Sequence, residues 1–127
     1  MILMWGAWLG FISVAFGAYA EHGLRQAVTD EHFRLLMTAI RYNQVHAVVI
    51  VAIGLTRLNA GKLGNSSTLR WSGLLFIIGT ICFSFSMYLS VSLAIPSLVN
   101  VTPLGGMAIM AGWLLLLVAG VLARKQR

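Results

Sequence analysis

Charge is what this chain has least of: of its 127 residues only 9% are charged, and three of those are acidic. Asp30 and Glu31 sit together in a polar segment and Glu21 stands apart, so no carboxylate pair is available inside an apolar stretch for acid–base work. The one cysteine, Cys82, excludes an internal disulfide and any cysteine-based metal motif, and reads as a small buried apolar residue. No nucleophile–base–orienter set is present, and no glycine-rich loop precedes a phosphate-binding helix. Enzymatic catalysis is unsupported, and no cofactor or metal is expected. Proline is almost missing too, with Pro96 and Pro103 the two examples.

What is present is apolar length. Hydrophobic residues make up 59% of the chain and mean hydropathy is +0.88, values of an integral membrane protein. Trp71 to Ala123 carries no charged side chain at all. One span needs ~20 apolar residues, so this run holds two, folded into a hairpin at Pro96–Pro103, where proline removes a backbone donor and disfavours helix before it. The spans fall at about 2–20, 42–58, 71–95 and 104–123, one domain covering 1–127. Trp5, Trp8 and Trp71 lie near span ends, where interfacial indoles are common. Thr29 or Asp30 caps a further helix in which Phe33, Leu36, Met37 and Ile40 recur at helical spacing. The expected fold is an all-α four-transmembrane-helix bundle with a short amphipathic helix between spans one and two, continuous with span two.

Four spans place both termini on one side. Arg57, Lys62, Arg70, Arg124, Lys125 and Arg127 lie on that side, against Arg25, Arg34 and Arg41 on the other, which favours cytoplasmic termini. The net charge of +6 is spent at span ends, so nucleic acid is not an expected partner. Ala18-Tyr19-Ala20 resembles a signal-peptidase site, but no Lys or Arg precedes the apolar stretch, and span one is expected to be retained.

Apolar side chains gain little from meeting each other in lipid, so close backbone approach does the packing. Gly6, Gly10, Ser13 and Gly17 form one smooth face of span one. Gly79, Cys82, Ser86 and Ser90 repeat the device in span three, and Gly105, Ala108 and Gly112 in span four. Packing within the chain is the default expectation, with a homo-oligomer or a larger membrane complex as further partners besides the lipid bilayer.

The polar residues gather in one half of the bundle, the outer half in this topology. His22, Arg41, Tyr42, Gln44, His46, Ser84, Ser86, Tyr88 and Thr102 all fall there. Polar groups in hydrocarbon are costly unless paired, so they pair with one another or line a pocket. The expectation is a hydrogen-bonded network, with a small-solute, ion or lipid site as the functional reading. The alternative is a redox subunit holding haem or quinone through His22 and His46, which would require the two rings to meet between adjacent helices. Arg41 is read as a phosphate anchor or the partner of Glu21.

Four fragments carry a family resemblance. Gly17-Ala18-Tyr19-Ala20-Glu21-His22-Gly23-Leu24, Ala39-Ile40-Arg41-Tyr42-Asn43-Gln44-Val45-His46-Ala47, Phe83-Ser84-Phe85-Ser86-Met87-Tyr88 and Thr102-Pro103-Leu104-Gly105-Gly106 with Gly112-Trp113 keep their order and spacing along nearly the whole chain. Together they resemble domain-of-unknown-function family 423, also called uncharacterised protein family 0382. The resemblance implies a four-helix bacterial inner-membrane protein with no settled activity and no assigned catalytic residues. Ala20-Glu21 departs from the Gly-Ala common in that family before the first histidine, and Phe85 replaces a glycine between the two serines.

Overall fold

A computed structural model describes residues 1–59 and 61–125; Arg127, part of the basic bias above, lies outside the described residues. Among the described residues four helical spans are long and apolar enough to cross a membrane: Ile2–Leu24, Asp30–Leu58, Ser67–Ser92 and Pro96–Lys125. The first is α1 (Ile2–Tyr19), which widens into a π-helical turn at Ala20–Leu24. The second is α2 (Asp30–Leu58), whose 29 residues reach ~43 Å, well beyond a ~30 Å hydrocarbon core. Thr29 caps it by accepting the His32 N–H, and Asp30 and Glu31 occupy its first turn, at the positive end of the helix dipole. The amphipathic segment is the first three turns of this helix. Phe33, Leu36, Ala39 and Ile40 point into the bundle, so tertiary packing shapes that segment as much as the membrane surface does.

The third span is α3 (Ser67–Thr80), a π-helical turn at Ile81–Phe85, and α4 (Ser86–Ser92). The chain then turns at Leu93–Ile95, just before Pro96 rather than between the two prolines. Ile95 donates its N–H to Ser90 O and Ala94 to Val91 O, the paired bonds that close a helix end around a left-handed residue. That residue is Ala94, at φ 53°, a position usually given to glycine. A 3-10 segment, Pro96–Val101, leads into α5 (Thr102–Lys125), with Pro103 in its first turn, where a missing N–H costs nothing.

The helices alternate in direction. Gly6 meets Ile50 and Val51, Gly10 meets Ala47, and Gly17 meets Ile40, so the small face of α1 lies along α2. The converse also holds: a Cβ on Gly54 would sit 2.6 Å from the Leu3 backbone. Gly79 and Gly105 bring α3 and α5 together, and a Cβ on Gly105 would collide with the Phe83 backbone. Gly112 faces the Phe76 ring. Side chains cluster in two apolar cores. One, around Ile2, Leu9, Ile50, Ile53 and Phe76, fills the half that carries the chain termini. The other, around Leu24, Leu36, Ile40, Met87 and Tyr88, fills the half that carries the connections at 25–29 and 93–101, here called the hairpin end.

Candidate functional site

The π-helical turn in span three and the short helix after it carry the polar groups of the hairpin end. Side chains two apart on a helix point to nearly opposite sides, so Ser84, Ser86 and Tyr88 alternate between neighbouring helices. Ser84 faces α2 and donates to Ala39 O at 2.8 Å. Ser86 meets Thr102 of α5 at 2.7 Å, hydroxyl to hydroxyl. Tyr88 turns back to α2, where its hydroxyl accepts from Asn43 Nδ2 at 3.3 Å while its ring stacks on Phe16. These five side chains are buried, and their bonds tie α2, the π-helical turn, α4 and α5 together from the inside. Asn43 Oδ1 and Thr80 Oγ1 are fully buried and lack a protein partner.

A second set faces outward. Between α2 and α5 lies a hollow of about 700 Å³, walled by Tyr42, His46, Phe83, Met107, Met110 and Trp113, with Arg41 exposed at its rim. It exists because α2 and α5 each pack on α3 rather than closely on one another. Gly106 adds no bulk: even the ring of Phe83 is 3.8 Å from where its Cβ would be. Tyr42 stacks on Phe83 with centroids 4.4 Å apart, and Phe76 meets Trp113 edge-on at 5.1 Å, so the walls are mainly aromatic and sulfur-rich.

Both ring nitrogens of His46 are occupied. Nδ1 lies 2.7 Å from Tyr42 O, an acceptor, so Nδ1 carries the proton. Nε2 therefore accepts the Trp113 indole N–H, at 3.3 Å. The bond bridges the two helices across the hollow and satisfies the polar atoms of both rings. The floor of the hollow is left without a free hydrogen-bonding group from His46 or Trp113.

The nine polar residues singled out in the sequence thus separate. Arg41, Tyr42 and His46 line the hollow; Ser84, Ser86, Tyr88 and Thr102 form interior bonds; His22 and Gln44 are exposed and join neither set. The pairing of His22 with His46 is corrected by the helix register. The contacts of Gly6, Gly10 and Gly17 place residue 11 of α1 opposite His46, so His22 stands about eleven residues further along, roughly 16 Å away. A cofactor slung between the two rings has no geometry here, and an axial bond to His46 would first have to break one of its two hydrogen bonds. By the same register Glu21 lies opposite Leu36, not Arg41. Among the described residues no group of three His, Cys, Asp or Glu is placed to hold a metal.

Two residues central to this geometry were not among the sequence candidates. Asn43 continues the buried stripe Leu36, Ala39, Ile40, His46, Ala47 and Ile50, and an amide on such a stripe requires a partner. Trp113 sits mid-way along an apolar run, far from either interface, where an indole N–H also needs an acceptor.

Residues 16–106 match the family model described as Protein of unknown function (DUF423). Curated relatives cover almost the whole chain. A UPF0382 membrane protein of Staphylococcus haemolyticus, SH2409, is 30% identical over 94% of this chain and 93% of its own. One from Haemophilus influenzae is 32% identical over 83% and 81%. The UPF0382 inner membrane protein YgdD of Escherichia coli is 29% identical over 98% and 92%. No solved structure matches the chain.

Proposed function

The chain belongs to the DUF423 family of membrane proteins, and from that premise we propose that it holds an anionic amphiphile of the surrounding bilayer, with one tail in the hollow between α2 and α5. The observation that carries this reading is a cation at the rim of an apolar trough. Arg41 lies five residues, ~7 Å, above His46 on α2, from where its long side chain snorkels up towards a headgroup phosphate, and beneath it the walls offer aromatic and aliphatic surface. A hydrophilic solute or ion would find little to bind below Arg41, because His46 and Trp113 satisfy each other. A lipid tail needs no polar partner. The basic bias of the terminal end supports placing both termini in the cytoplasm of an inner membrane, with Arg41 in the opposite leaflet.

The test is the lipid retained by protein recovered from phosphatidylglycerol-containing membranes, read by native mass spectrometry. Arg41→Gln is expected to lower retained phosphatidylglycerol about fivefold, the worth of one basic residue near an anionic surface. Gly106→Phe, whose added ring has room to enter the hollow, is expected to displace it with helicity unchanged. Retention unaltered in both variants removes the reading. Capture of another protein's helix in place of lipid would turn the same hollow into a subunit interface instead.

A further inference from the structure

Trp113 borders more than one hollow. Below it, towards the terminal end, a second space of about 340 Å³ continues between α2 and α5, lined by Val49, Ala52, Ile53, Leu116, Ala119 and Trp113 itself. The indole therefore stands as a partition between two chambers on one face of the bundle. Its height is informative. Trp113 lies ten residues below Pro103, which lines the upper chamber near its mouth, so it is ~15 Å down the helix, half of a ~30 Å hydrocarbon core. The indole is held there from two sides, by its N–H bond to His46 and by the edge of Phe76.

From this geometry we infer that Trp113 is a length-determining residue: it ends the upper chamber at the bilayer midplane and limits the groove to a single tail about one leaflet long. His46 is the positioning residue that keeps the indole across the gap. The inference rests on the reading of the hollow as an amphiphile site and adds to it a tail-length preference. A tail longer than the chamber has to leave it sideways into the bilayer and forfeit contact with the aromatic walls. Without the indole, the chambers merge into one trough reaching Ala119, some 24 Å below Pro103.

The full-length protein is reconstituted in vesicles of equimolar phosphatidylglycerols with graded saturated tails, and retained lipid is compared with the bulk mixture by native mass spectrometry. Wild type is expected to favour tails that fit the chamber over the longest by roughly threefold to tenfold, less than a fully closed pocket achieves per mismatch. Trp113→Ala is expected to erase that bias while total retention persists. Met110→Trp, one turn above on the same wall, raises the floor and is expected to shift the bias to shorter tails; it decides the matter alone if Trp113→Ala does not fold. Phosphatidylglycerol retained without a length bias in wild type, or with the same bias in both variants, overturns the role of Trp113 and leaves the amphiphile site standing. Failure of wild type to retain phosphatidylglycerol overturns both.

Discussion

Glycine contacts pack both halves of this bundle, Gly105 against Phe83 in the hairpin half included, but side-chain hydrogen bonds between helices gather mainly in that half. In the terminal half, backbones approach at glycine: Gly6 against Val51, Gly54 against Leu3, Gly73 against Ile2 and Ile53. Dispersion over close surfaces does most of the work there, and one buried hydroxyl, Ser72 donating to Gly112 O, adds a polar tie. In the hairpin half, side-chain hydrogen bonds cross between helices at Asn43, Ser84, Ser86 and His46. The hollow between α2 and α5 is about twice as large in that half, 700 Å³ against 340 Å³. In the hairpin half the directional bonds run from α2 and from α5 to the third span between them, so α2 and α5 can stand apart and still be ordered, which is where a site can open.

Substitutions can break this contrast. Gly54→Leu should have the largest effect, because its Cβ meets Leu3 backbone that no rotamer change can move; we expect a loss of about 3 kcal/mol or more in detergent unfolding. A small effect there would mean the terminal half is not glycine-packed. Tyr88→Phe comes next. It strands Asn43 Nδ2 in a buried site and should cost about 1–2 kcal/mol by the same measurement. Ala94→Gly should act in the other direction, relieving the left-handed alanine at the hairpin turn and raising stability by about 1 kcal/mol. The smallest expected term is the coupling between Ser86 and Thr102. A double-mutant cycle with Ser86→Ala and Thr102→Val should return about 0.6 kcal/mol, the average for such pairs in membranes. A coupling of zero would leave the hairpin half without one of its supports.

The spans were legible because hydrophobic length is a local property: the ends of spans one and three lie within four residues of the boundaries read in the sequence, while span four opens eight residues earlier, at Pro96. Span two departs most. Its charge-free stretch is short, but the amphipathic turns before it extend the same helix back to Asp30, since Phe33, Leu36 and Ile40 continue its buried face. The two π-helical turns left no mark in the residue pattern. Periodicity of 3.6 is nearly preserved over so few residues, and the shift shows only in the backbone of Ala20–Leu24 and Ile81–Phe85. The polar candidates were chosen by depth, and depth does not distinguish an inward from an outward direction. Tyr42 and Asn43 are adjacent in the chain, yet one faces the hollow and the other the fully buried interior.

Sequence alone determined that this polypeptide is a four-span helical membrane protein with its polar side chains weighted to one end, because apolar length and polarity act residue by residue. Only the tertiary structure decided which of those side chains meet. His46 bonds Trp113 rather than lying near His22, and Arg41 borders an apolar trough rather than facing Glu21. The reason is register: where one helix slides along another is set by the summed fit of many small residues, and a slip of one turn would have paired a different set.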